Sequence, residues 1–324
     1  MTTFVFAGRD ELLHVRFAIS PLWETLAAVR ALVDEREASH HRAWLRQVAD
    51  AAATAGVRML LAVQPLAGYV PDFLTPPPVG PSPRLRDQLA QVRATPPRQA
   101  ATELRRCLDG SPEPELVEHL LEDPAAAVRT LAEAMHGAWR DLLAPFWPRV
   151  RALVDGDVDR RSRTLARHGL RTLFDDLHPR IRWTERGLAV RDGDAAAVAL
   201  DSRGLLLMPS AFLSSGVVAI VDPPWQPTIV YPARGVAGLW QAPAAPPASL
   251  ARLLGPTRAL LLTTLDRPLS TTTLAALTEL SPAGVSRHLL ALRDAGLLST
   301  ARRGHEVRYA RTPLARGLLQ ANRG

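Results

Sequence analysis

The 324-residue chain has no lysine; all 39 of its basic residues are arginine. That absence excludes a Walker-type phosphate loop, a pyridoxal Schiff base, a kinase-type lysine and a Ser-x-x-Lys acyl-transfer centre. Arginine without lysine, beside abundant alanine and proline, also points to GC-rich coding, a compositional habit before it is a functional sign. Cysteine is nearly as scarce. The lone Cys107 allows no internal disulfide and no thiolate metal cage, reads as an inert thiol, and fits a reducing, cytoplasmic setting. No Gly-x-Ser-x-Gly, His-Glu-x-x-His, Gly-x-Gly-x-x-Gly or paired-cysteine motif occurs. The expectation is a non-enzyme with no cofactor and no metal. A hydrolytic pair of carboxylates has no spacing signature, so an enzyme fused to another module stays as an alternative. Arg9, Asp10 and Glu11 arrive before any sustained apolar run, unlike a signal peptide. The uncharged stretch from Gly204 to Val221 barely reaches spanning length and is broken by Pro209 and Ser214-Ser215-Gly216. It reads as two buried strands joined by a turn.

What is present is a 47% hydrophobic chain, long enough for about two domains and able to bury a core. The expected class is α+β: a mainly helical N-terminal region with a small antiparallel sheet, then a winged helix-turn-helix. Residues 1–178 read as helical, serving regulation or dimerisation, after one or two short strands between Phe4 and Phe17. Ser20-Pro21 opens a helix with Leu22, Leu26, Val29 and Val33 at helical spacing. A second helix is predicted from about His41 to Ala55. Val57 to Val63 is either a strand or a buried helix. After a proline-rich loop from Pro71 to Pro83, helices are predicted over 84–93, 98–108, 113–121, 124–143 and 145–177, the last broken near Asp155-Gly156-Asp157. Within 179–241 the period changes to two, and Ile181–Thr184, Leu188–Arg191, Ala197–Leu200, Leu205–Met208, Val217–Val221 and Thr228–Tyr231 read as strands. An alanine–proline linker, 242–249, precedes the last domain, 250–324.

Charge is distributed unevenly. From Leu250 onward there are eleven arginines and four acids, a surplus of seven that equals the net charge of the whole chain; the first 249 residues balance at 28 of each. Such a small basic domain suits a polyanion. Its pattern is specific. Gly255-Pro256 separates two helices, the second burying Leu260, Leu261 and Leu265. Ser270 caps a short helix that turns Leu274 and Leu277 inward, and Thr278 to Leu280 form a turn. Ser281-Pro282 repeats the cap-and-proline start of a helix whose Val285, Leu289 and Leu292 form one buried stripe. Gly296 ends it. Leu297–Thr300 and Val307–Ala310 read as strands flanking an Arg302-Arg303-Gly304-His305 tip.

A helix fits the major groove, and its N-terminal end offers side chains to base edges and a positive dipole to phosphate. Ala283 and Ser286 permit close approach, and Arg287 reaches a guanine edge or a phosphate. Ser281 and His288 share that helix, and Arg293 lies further along it. Arg302, Arg303, His305 and Arg308 are candidates to grip the DNA backbone or minor groove. Ser270, Thr271 and Thr272 are candidate phosphate donors at a helix N-terminus, a role compatible with plain capping.

These residues resemble the DNA-binding module of ArsR-type bacterial transcriptional regulators over about 60 positions. The resemblance lies in Gly255-Pro256-Thr257-Arg258, Leu274-Ala275, Val285-Ser286-Arg287-His288-Leu289, Leu292-Arg293-x-Ala295-Gly296-Leu297 and Tyr309. The whole chain is similar to actinobacterial ArsR-like regulators with a long N-terminal region. The resemblance implies a homodimer on an inverted-repeat operator of double-stranded DNA, usually a repressor released by a signal. Metal sensors of that family carry Cys-x-Cys where this chain has Ser270 and Thr272, so thiolate sensing is not expected here. The first 240 residues then either bind a small-molecule effector or serve protein interaction or dimerisation alone. Trp23, Trp44, Trp139, Trp147, Trp183, Trp225 and Trp240 either line a ligand pocket or are core. His40-His41 reads as a solvated pair at a helix start, and Asp192, Asp194 and Asp201 as turn residues. Trp225 and Tyr231 mark a proline-rich corner or an interface.

Overall fold

The computed structural model describes residues 2–6, 14–185, 187–191, 196–200, 203–213, 216–241, 243–303 and 306–322. Asp192, Asp194, Asp201 and His305 lie outside the described residues. The chain forms two units: Met1–Pro145 with Leu153–Ala237, and Phe146–Ala152 with Gly238–Gly324.

Unit 1 begins with two short strands, β1 (Thr2–Val5) and β2 (Val15–Phe17), inside the segment where strands are expected. Helices follow: α1 (Pro21–Ala31), α2 (Glu35–Ala52), α3 (Ala55–Ala62), α4 (Leu85–Arg93), α5 (Pro97–Leu108), α6 (Pro114–Glu122), α7 (Pro124–Ala138) and α8 (Trp147–Leu177). Ser20 caps α1 by accepting the Trp23 N–H at 2.9 Å, with Pro21 in the first turn. Val33 does not continue the stripe of Leu22, Leu26 and Val29; it is exposed, because Leu32 closes α1 and the Asp34 carboxylate caps α2. That cap starts α2 six residues earlier than expected, and the helix kinks at His41 instead. His41 is not solvated. It is fully buried and stacked on Phe212 at 4.3 Å, and burial holds its pKa down to about 4. The run from Val57 resolves as helix α3, capped by Thr54. Cys107 is buried, donates to the Leu104 carbonyl, and its thiol is pushed up to about 11.

Helix α8 runs unbroken through Asp155-Gly156-Asp157 and kinks at Gly169, whose φ of 79° is costly for any other residue. The reason is a buried network. Asp157 and Arg161 are both fully buried, four residues apart on the helix, and Asp157 also accepts the Tyr231 hydroxyl at 3.0 Å. Beyond the kink, Arg161 bonds the carbonyl and carboxylate of Asp176. The kink at Gly169, between Arg161 and Asp176, brings these two partners together.

The strands of 181–232 form two sheets, and each takes in one N-terminal strand. With β3 (Ile181–Thr184), β4 (Gly187–Val190), β5 (Ala196–Ala199), β6 (Leu205–Ser210), β7 (Val218–Ile220) and β8 (Thr228–Pro232), the orders are β3-β4-β1-β5 and β2-β6-β8-β7. Neither is wholly antiparallel. β1 pairs β5 in parallel, as β6 pairs β2 and β8. The apolar run of β6 follows from this placement. Leu205 and Leu207 pack into a core with Phe4, Phe174 and Ile229, whereas Leu206 and Met208 pack on the other face with Ala18 and Val230. A parallel strand covered on both sides has no position for a polar residue. β6 and β7 are not neighbours, since β8 lies between them. Among the described residues no helix is long and apolar enough to cross a membrane.

The tryptophans divide. Trp44 is core and donates to the Leu142 carbonyl at 2.9 Å. Trp183 stacks on Phe174 and Trp240 lies edge-on to Phe146. Trp139, Trp147 and Trp225 are half-buried. Trp23 lines a cavity of about 600 Å³ in unit 1.

Unit 2 contains α9 (Ala248–Leu254), α10 (Pro256–Thr264), β9 (Leu269–Ser270), α11 (Thr271–Thr278), α12 (Pro282–Asp294), β10 (Leu298–Arg303), β11 (Glu306–Arg311) and α13 (Pro313–Ala321). Its core joins Leu274, Val285, Leu289 and Leu292 to Leu250, Leu319 and, from α8, Ala152. On α10 and at its C-cap, Leu261 and Leu265 are buried as expected, together with Ala259 and Leu262, whereas Leu260 is half-buried.

One buried carboxyl sets a pH dependence. Glu24 on α1 accepts the Ala211 N–H at 3.0 Å, yet burial pushes its pKa up to about 8. Protonated when folded and ionised when unfolded, it stabilises less as pH rises toward 8, by at most about 1.4 kcal/mol per pH unit. Near pH 6.5 the His41 ring still titrates in the unfolded chain and opposes this trend by about half as much, and by about pH 7.5 it is neutral in both states. The melting temperature should therefore fall between pH 6.5 and 8.5, and Glu24→Gln should flatten that fall in a calorimetric pH series.

Candidate nucleic-acid interface

The site is built on α12. Ser281 accepts the Gly284 N–H at 3.2 Å, Pro282 occupies the first turn, and Val285, Leu289 and Leu292 are buried. That stripe fixes the helix rotation, which leaves Ala283, Arg287 and Leu290 exposed along the opposite face. Ser286 and His288 are half-buried at its edges. Arg287 makes no ion pair or hydrogen bond among the described residues, so its guanidinium is available to an incoming group. Arg293 is exposed but bonds Asp294 at 2.8 Å, about 15 Å further along the axis from Ala283.

The preceding helix, α11, starts at Ser270. This serine is 9% exposed, lies in β9, and its hydroxyl accepts the Thr273 N–H at 3.2 Å. It is a structural cap, the role expected to be compatible with phosphate donation. Thr271 is half-buried and Thr272 exposed at that helix start. The turn to α12 contains Glu279 in the left-handed region at φ 57°. Arg149 secures this turn: its guanidinium donates to the Ala276 carbonyl at 3.0 Å and to the Glu279 carboxylate at 3.1 Å. Sequence reasoning missed Arg149, because it lies more than a hundred positions upstream with no local signal.

The wing is a three-stranded sheet, β10-β11-β9. Arg302 and Arg303 belong to strand β10, paired with Val307 and Glu306, so only Gly304 and His305 separate the strands. The Arg302 side chain is exposed; of Arg303 only the backbone is described. Arg308 departs from expectation. Its side chain is 11% exposed, near Glu306 at 3.4 Å, and its backbone pairs with Ser270. The third strand β9 turns this arginine toward the domain. Arg311 donates to the carbonyls of Leu262 and Thr263 at the end of α10, satisfying groups that a helix terminus leaves open. Among the described residues no cluster of His, Cys, Asp and Glu could hold a metal ion.

Residues 253–301, which run from α9 into β10, match a helix-turn-helix domain. The chain carries a helix-turn-helix. Together with the exposed face of α12, this supports a DNA-binding transcriptional regulator. Residues 92–237 match a family of unknown function, DUF5937. No curated protein and no solved structure matches the chain. Arg149, which secures the turn of the helix-turn-helix, lies within the segment that matches the family of unknown function.

Removing that guanidinium should loosen the turn. Arg149→Ala is expected to cost about 1–2 kcal/mol in denaturant unfolding of the full chain, since it leaves a carbonyl unpaired. Glu279→Ala should cost well under 1 kcal/mol, because that carboxylate is solvated.

Proposed function

We propose that the chain is a homodimeric transcriptional repressor of the ArsR type, acting on an inverted-repeat operator. The observation that carries this reading is the exposed Ala283–Arg287 face at the start of α12, held outward by the buried stripe behind it. In this reading Arg287 contacts a base edge, Ser281, Ser286 and His288 lie against the groove, and Thr271 and Thr272 donate to phosphate. Arg302, Arg303 and His305 on the wing follow the flanking backbone, and Arg293 reaches phosphate only by leaving Asp294. Unit 1 takes a small-molecule effector. Its binding favours a dimer in which the two α12 helices no longer match half-sites one helical turn apart, which lowers DNA affinity.

Binding sites selected from a random duplex library, followed by anisotropy titrations, test the assignment. Arg287→Ala should weaken the selected site by about 1–3 kcal/mol and relax one base position; unchanged affinity and preference would remove α12 from base reading. Arg302→Ala should weaken all duplexes alike and reduce the slope of log affinity against log salt by about one per subunit. A slope equal to that of the parent chain would take Arg302 out of the contact.

A further inference from the structure

The cavity of about 600 Å³ in unit 1 has a size suited to a small organic ligand. Its apolar wall includes Trp23, Leu26 and Phe212. The Trp23 indole N–H is buried with no acceptor among the described residues, an open donor in the wall of a cavity.

The charge around the cavity is not neutral in effect. Three arginines reach it. Arg30 donates to the carbonyls of Pro65 and Leu66 at 3.1 and 2.7 Å. Arg106 bonds Asp222 at 2.6 Å and lies over the Tyr69 ring at 3.7 Å. Arg180 is exposed at the rim of the cavity. Of the lining acids, Asp34 lies 3.8 Å from Arg30 and Asp222 is bonded to Arg106. Glu37 is buried, and Asp72, which accepts the Tyr69 hydroxyl at 3.1 Å, is half-buried. Behind Asp72 stands buried Glu103, which accepts the Phe73 N–H at 2.8 Å. Burial first, and Glu103 behind it, push the Asp72 carboxyl up to about 7 against the opposing influence of Arg106.

We propose that this cavity binds a small organic cation, with its ammonium group at Asp72 and its apolar or aromatic body against Trp23, Leu26 and Phe212. An acceptor atom on the ligand body would satisfy the Trp23 N–H. Aromatic walls beside carboxylates suit such a ligand twice, because ring faces attract cations and bury flat apolar groups. An anion would find two of the three guanidiniums already bonded and the third at the solvent edge. The inference rests on the reading of unit 1 as the unit that takes an effector.

Calorimetric titration of the full chain at pH 7.5 with three probes of one shape tests it: 1-naphthylmethylamine, 1-naphthalenemethanol and 1-naphthoate. The amine should bind at least tenfold tighter than the other two. Asp72→Asn should cut its advantage over the alcohol to less than threefold while leaving the alcohol unchanged. Arg180→Gln, at an exposed position, should tighten the amine and weaken the naphthoate, and it stands in if the Asp72 variant does not fold. Tightest binding by the naphthoate, no binding by any probe, or a charge preference unchanged in both variants would overturn the proposal. Adding the amine to the protein–operator complex separates the two readings. Cavity binding with unaltered DNA affinity upholds the cation site and overturns the effector role, and cavity binding with DNA release upholds both.

Discussion

The rotation of α12 about its own axis is the constraint on which the exposed Ala283–Arg287 face depends. Val285, Leu289 and Leu292 are buried on one side, and each brings a burial free energy of about 1.5–3 kcal/mol. No rotation of the helix keeps all three buried while moving Arg287. The apolar stripe thus aims a charged residue that it never touches. The turn before the helix sets its direction in the same way. Glu279 adopts a left-handed conformation that costs a non-glycine residue roughly 1 kcal/mol, and it does so beneath the Arg149 guanidinium. A strained residue held by a two-pronged donor gives α12 a defined starting point.

Unit 1 solves a different problem. Two four-stranded sheets are assembled from strands nearly two hundred positions apart, so the long helix and its neighbours must hold the sheets' central strands without exposing backbone. The buried Asp157, Arg161 and Tyr231 meet where α8 passes β8. Buried charges are tolerable when each finds partners, and here the partners come from both sides of the Gly169 kink. The network therefore ties the shape of the helix to the sheet beside it. Gly187 marks a similar constraint at the other sheet: a β-carbon there would fall 2.1 Å from the Phe4 carbonyl oxygen, so β4 and β1 approach only through glycine.

Much of this was legible along the chain, for reasons that differ by region. Helix starts were read wherever a serine and a proline coincide, at Ser20-Pro21 and Ser281-Pro282, because capping is a local interaction between residues three apart. The order of elements from α10 to β11 was legible for the same reason, with its apolar stripe at i, i+4 and i+7. Sheet membership was not. That β1 would pair β5 and β2 would pair β6 depends on contacts without any local trace. The kink position failed because glycine at 156 and glycine at 169 look alike until the Arg161–Asp176 pair across the kink is known. His41 was misjudged because its burial comes from Phe212, distant in sequence. Ser270 and Arg308 looked exposed until β9, only two residues long, joined the wing.

The arginine-only composition gains a physical meaning from these placements. Guanidinium groups here act repeatedly as cross-links to backbone carbonyls: Arg30 to Pro65 and Leu66, Arg149 to Ala276, Arg203 to Trp225, Arg311 to Leu262 and Thr263. A planar fork with five donors can bridge two acceptors in a way that an ammonium group does not reproduce. The surplus of seven charges in the last quarter of the chain therefore overstates what DNA would meet. Arg311 is turned to a helix end, Arg308 lies mostly covered beside Glu306, and Arg293 is held by Asp294. Of the arginines that stay exposed, among them Arg252, Arg258 and Arg316, Arg287 on α12 and Arg302 on the wing lie on the two elements that helix-turn-helix geometry would set against DNA. Net charge identifies a polyanion-binding domain, but burial decides which of its charges can do the binding.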